Sequence, residues 1–230
     1  MAEHDEGRRR LWRTAGVLMI AHVVLMLAGL SMGKVATVGA SPAAYISAYV
    51  HGSLVERLAG GCVAGAGFLV FLLAATLLAR LLRGESELGN WQASVAAASG
   101  GIYVALSLAV AIPGADAAAY DGHHGAPLAV VTALSDLHYF TTFASIGVLG
   151  LFTLALAGAG QACRALSRWV AYPGYAVGAI CVAAVPGAGI GLVDDAMLVW
   201  IIWFVVAAVA VLRGARGTRS LPVHAAPTAS

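Results

Sequence analysis

Three observations predict an all-α fold, a polytopic membrane bundle of six helices with both termini in the cytoplasm. The first is composition. Of the 230 residues, 60% are hydrophobic and 10% charged, against roughly 45–50% and about 25% in soluble domains. The second is segmentation. The apolar residues gather into six blocks, 14–32, 58–79, 93–113, 128–159, 169–192 and 196–212, separated by short polar or glycine- and proline-rich joints. Spans of roughly 20 mainly apolar residues cross a bilayer as helices, because only a helix satisfies its own backbone there. The third is charge placement. With both ends inside, eleven of the thirteen Lys and Arg lie on the cytoplasmic side, at Arg8, Arg9, Arg10, Arg13, Arg80, Arg83, Arg164, Arg168, Arg213, Arg216 and Arg219. Lys34 and Arg57 alone lie outside, which is the positive-inside pattern. The partner this implies is the lipid bilayer. One Lys against twelve Arg, with abundant Ala and Gly, points to a GC-rich bacterial genome and so to a bacterial cytoplasmic membrane. No feature suggests nucleic acid as a partner.

The basic segment 1–13 runs straight into the first span, 14–32, which is longer than the roughly 7–15 apolar residues of a signal-peptide core and is expected to stay in the protein. His22 falls near its middle. In the first outer connection, Ser41-Pro42 has the form of an N-cap followed by a first-turn proline. Tyr45, Ile46, Tyr49, Val50 and Leu54 then recur on one helical face. A short interfacial helix is expected there, with its tyrosines at headgroup depth, or else packed on the bundle. The second span, 58–79, carries Gly61 and Gly65, a small-xxx-small pair suited to close helix packing. The third follows Trp91 and ends at Pro113.

Residues 114–126, GADAAAYDGHHGA, read as an outer loop rich in turn residues, with Asp116, Asp121, His123 and His124. Pro127 suits the start of the fourth helix. If the helix starts there, Asp136 lies about 9 residues in, roughly 14 Å along the axis. If Ser135 caps a later start, Asp136 and His138 sit at the outer rim. The fifth span, 169–192, contains Pro173 and Pro186 and is expected to be kinked. The sixth, 196–212, leads into a small, polar tail, 213–230, that reads as disordered and cytoplasmic.

An ionisable group inside a span is costly and is a functional lead. His22, Asp136 and His138 are the intramembrane polar candidates, and His22 meeting Asp136 would make a proton or cation relay. The outer side also gathers His123, His124, Asp194 and Asp195, which with His138 and Asp136 are candidate ligands for a divalent metal such as zinc. Their spacing contains no HExxH or comparable i, i+4 ligand pair. Neither a GxSxG turn nor a phosphate loop is present, so no catalytic residue is nominated. Cys62, Cys163 and Cys181 form no CxxC and read as small packing residues.

Leu166-Ser167-Arg168-Trp169-Val170 at the start of the fifth span, with Trp200, Trp203 and Leu212-Arg213 in the sixth, resembles bacterial six-helix integral membrane proteins grouped as a domain of unknown function. The resemblance covers mainly the last three spans. It implies the fold and no activity. Three functional classes follow from the residues: a transport-related or accessory membrane component coupled to protons or cations, a membrane-embedded enzyme or metal-binding protein using the outer His/Asp cluster, and a non-catalytic structural partner.

Overall fold

Serine side chains start several of the helices. In the computed structural model, which describes residues 2–84, 86–186 and 192–217, the first helix, α1, spans Ala2–Ser31. Ser41 Oγ accepts from Ala44 N (3.3 Å) and Pro42 takes the first turn of α2, Pro42–Tyr45, which runs on as a π-helical turn, Ile46–Val50. Ser53 caps α3, Leu54–Leu81, through Glu56 N (3.2 Å), and Ser86 caps α4, Glu87–Leu106, through Gly89 N (3.2 Å). Each cap satisfies a donor that would otherwise be orphaned at a helix start.

After α4 the chain makes a second π-helical turn, Ser107–Ala111, and continues as α5, Ile112–His123. Residues 114–123 are therefore helical, not the loop their composition suggests. Pro113 lacks an N–H and would clash with the carbonyl four residues back in a regular helix. The wider π turn just ahead of it absorbs that misfit, so the chain does not have to break. Gly125, at φ 78°, turns the chain into α6, Leu128–Ala162. This is the early start: Asp136 is the ninth helical residue rather than a cap. The last two helices are α7, Arg168–Ala184, and α8, Leu192–Gly217. α8 thus runs past residue 212 into the segment expected to be disordered, and residues 218–230 lie outside the described residues.

The long columns form a ring in chain order: α1 against α3, α3 against α4, α4 and α5 against α6, α6 against α7, α7 against α8, and α8 back against α1. Neighbours run antiparallel. Gly29 of α1 faces Gly60 of α3, where an added Cβ on either would lie 2.6 Å from the other's carbonyl oxygen. The start of α1 and the end of α8 consequently share one end of the ring, the terminal end. The α2 segment, α5 and the start of α8 occupy the opposite, distal end.

Five columns, Glu6–Ser31, Leu54–Leu81, Glu87–His123, Leu128–Ala162 and Leu192–Arg213, are long and apolar enough to cross a membrane. The sixth, α7, has 17 residues, about 26 Å at 1.5 Å per residue, and residues 187–191 of the expected fifth span lie outside the described residues. The outward faces carry large apolar side chains such as Val24, Leu73, Ile102, Phe140, Leu151 and Ile202, each more than half exposed or close to it. An apolar belt of that kind is a lipid-facing surface. Trp91 and Trp169 stand 63% and 90% exposed at the terminal end, where indole rings anchor a bundle at the membrane interface.

Two cores result. The larger fills the ring around Phe71, Phe152, Trp200 and Phe204. The smaller lies at the distal end, where Tyr45 and Tyr49 pack on Ala118, Ala119 and Val131. The expected short helix is present and takes the packed alternative: its two tyrosines turn inward onto the bundle and are buried.

Candidate functional site

The middle of the ring is an aromatic layer. Trp200 and Phe204 stack at 4.5 Å, Phe71 meets Phe152 at 5.0 Å, and the His22 ring lies 4.8 Å from Phe71. Its few polar atoms are tied down locally. Trp200 Nε1–H donates to Thr153 Oγ1 (2.9 Å), whose hydroxyl donates to Leu149 O (2.8 Å). His22 is fully buried, donates from Nδ1 to Gly67 O (2.8 Å), and leaves Nε2 without a partner. Toward the terminal end the packing is dense, with a void of only about 10 Å³ between Met19, Leu78, Leu156 and Ala207.

Distal to the aromatic layer the ring opens into a cavity of about 240 Å³. Phe68, Tyr103 and Leu149 are among its lining residues. α3 lines it with Gly60, Gly61 and Ala64, residues with little or no side chain. The wall formed by the second π turn contributes Ser107 and Ala111.

Polar groups converge on this cavity from three columns. Arg57, in the first turn of α3, is 7% exposed, and its Nε–H donates to Asp116 Oδ1 of α5 (3.0 Å). Asp116 fits because Gly61 has no side chain: a Cβ there would collide with the carboxylate. Arg57 uses one of the five N–H donors of a guanidinium, and the rest have no protein partner among the described residues. His138, on α6, donates from Nδ1 to Ala111 O (2.6 Å). That bond fixes the tautomer, so Nε2 of the neutral ring is an acceptor. Tyr139 and Asp194 also line the cavity, and Asp194 is exposed in the first turn of α8. A carboxylate at that position is favoured by the helix dipole.

The structure separates most of the residues singled out in the sequence. His22 bonds Gly67 O and Asp136 Oδ1 accepts from the Tyr45 hydroxyl (3.3 Å), so the two share no hydrogen bond. Asp136 thereby faces the α2 strap, where Tyr49 also meets Ser135 Oγ at 2.9 Å. Burial, reinforced by the Asp136 carboxylate, pushes the Tyr45 phenol above its usual range. Of the three intramembrane candidates, His138 alone lines the cavity. His123 sets its ring nitrogens 3.0 and 2.9 Å from the carbonyl oxygens of Ala119 and Gly52, while His124 donates to Tyr120 O (2.7 Å) and stacks on that ring. Asp195, like Asp194, is exposed in the first turn of α8. Among the described residues no three His, Cys, Asp or Glu side chains stand close enough to hold one metal ion.

Arg57 and Asp116 fall, by sequence pattern, in outer connections, where neither stands out as a site residue. One signal marks Arg57. Ser53 and Glu56 have the S-x-x-E spacing of a capping box, which starts the helix at residue 54 and puts Arg57 inside it.

Comparison of the chain with family models, curated proteins and solved structures finds no match. Its class rests on the fold and the site: among the described residues, a helical bundle with five helices long and apolar enough to cross a membrane and an internal cavity in its distal half.

Proposed function

We propose that the chain is a six-span integral protein of a bacterial cytoplasmic membrane, with both termini in the cytoplasm, and that it is a transport-related component whose cavity takes up a small solute from the outer side. The observation that carries this reading is the 240 Å³ cavity held inside the helical ring, with the Arg57–Asp116 pair and His138 at it and an aromatic layer below. A solute site in a helical bundle needs such a space between helices, mostly apolar with a few convergent polar groups. Orientation is supported by charge. The described arginines of 8–13, 80–83, 164–168 and 213 all lie at the terminal end, and Lys34 and Arg57 at the distal end, which makes the terminal end cytoplasmic by the positive-inside rule. In this reading α7, with 17 residues and packed between α6 and α8, is the sixth crossing.

Coupling to protons or cations, in this reading, falls to His138 at the cavity and to Asp116 through its pair with Arg57, rather than to His22 with Asp136.

The test is side-specific thiol labelling. In a background with Cys62, Cys163 and Cys181 replaced by alanine, Thr142→Cys places a thiol at the cavity wall and Ala208→Cys one in the dense terminal half. A membrane-impermeant maleimide applied from the outer face is expected to label the first variant and not the second. Absence of labelling at position 142 from the outer face would contradict a solute cavity open to that side.

A further inference from the structure

We infer that the cavity is a binding site for a small carboxylate with a short apolar chain, its carboxylate held by Arg57. The inference rests on the cavity reading above and names the ligand class. Arg57 has a side chain more than nine-tenths buried, lines the cavity, and spends only Nε on Asp116. Its terminal Nη groups have no protein partner among the described residues, yet neither is sealed from all accessible surface. A buried guanidinium with unused donors is poorly compensated. The fork it presents matches a carboxylate, which it can bind through two parallel N–H···O bonds.

Competing charges do not reverse this preference. Asp116 is already paired with Arg57, and its carboxylate packs against Gly61 rather than lining the space. Asp194 lies exposed at the mouth, where solvent screens it. The rest of the lining is largely apolar, with Met26, Leu30, Phe68, Ile146 and Met197 suited to a short hydrocarbon chain and not to a hydrated ion. A volume of about 240 Å³ admits one short chain and not a two-chain lipid.

Isothermal titration of the full-length protein in a neutral detergent, with hexanoate, hexanol, hexylammonium and hexyl phosphate as probes, tests the assignment. Hexanoate is expected to bind at least ten-fold tighter than hexanol and than hexylammonium, and tighter than hexyl phosphate. Arg57→Lys keeps the charge but loses the fork, and should lower the hexanoate preference several-fold. The neutral pair Arg57→Gln with Asp116→Asn leaves no orphaned charge, and should bind hexanol as before while losing the preference for hexanoate. Equal binding of hexanoate and hexanol to the native chain, tighter hexylammonium or hexyl phosphate, or a preference that survives in the neutral pair would each overturn the carboxylate assignment while leaving a ligand-binding cavity in place. Failure of every probe to bind would overturn the cavity reading with it.

Discussion

The distal and terminal halves of the ring are built from the same six columns and differ in what their inward positions carry. Toward the terminal end and at mid-height those positions hold Met19, Phe71, Leu78, Phe152, Leu156, Trp200 and Phe204, and the void between Met19, Leu78 and Leu156 is about 10 Å³. At the distal end α3 contributes Gly60, Gly61 and Ala64, α4 opens into a π turn, and about 240 Å³ stays unfilled. The difference teaches how an apolar chain makes a site. Without a hydrophobic drive between helices in lipid, bundles hold together by packing, so one densely packed half can support another half that is left open. The open half is also where the buried ion pair sits, because a cavity can hydrate what dense packing cannot.

Substitutions can break or sharpen that contrast, beginning with the largest effect. Phe71→Ala removes a ring that touches His22, Tyr103, Phe152 and Phe204, and is expected to cost about 3–5 kcal/mol in an unfolding titration. A smaller loss there than for any cavity-wall substitution would erase the distinction between the halves. Arg57→Ala leaves Asp116 unpaired. It should cost on the order of 2 kcal/mol, below the 3–5 of a dry pair because the cavity admits water, and Arg57→Gln with Asp116→Asn together should recover most of it. The thermal midpoints of the two variants separate these outcomes.

His22→Leu gives up the bond to Gly67 O but also removes the unpartnered Nε2. Stability is expected to change by no more than about 1 kcal/mol, since the lost bond and the relieved acceptor offset each other. A large loss on calorimetry would show that the ring does more in the aromatic layer than fill it. The smallest effect belongs to Thr142→Ala. Its hydroxyl bonds only to His138 O, in its own helix (2.8 Å), so a change within about 0.5 kcal/mol is expected in the same titration.

Much of this architecture is legible in the chain. The apolar blocks and their arginine borders locate the columns, and Ser41-Pro42 marks the short distal helix before any coordinate is known. The site is less legible, for three physical reasons. Pro113 followed by a turn-rich segment reads as a helix end, yet the π turn lets the helix pass, and Asp116 moves from a loop into the bundle. Tyr45 and Tyr49 share a face in any helix, but whether that face meets lipid or α5 depends on Gly122, which lets α5 approach the Tyr49 carbonyl closely. Counting residues into their helices gives His22 and Asp136 similar depths, but the count does not fix how α1 and α6 align: His22 sits in the aromatic layer level with Phe152, about 24 Å along α6 from Asp136, which stays at the distal end with Tyr45.

The central claim, an open distal half above a dry one, is tested most directly within a single helix. α6 runs through both regions, with 138–149 along the cavity and 152–160 in the dense core. Hydrogen–deuterium exchange of the protein in lipid nanodiscs should show residues 138–149 exchanging at least ten-fold faster than residues 152–160, because water reaches the first segment and tight packing keeps the second closed. Equal protection along the whole of α6 would contradict the account.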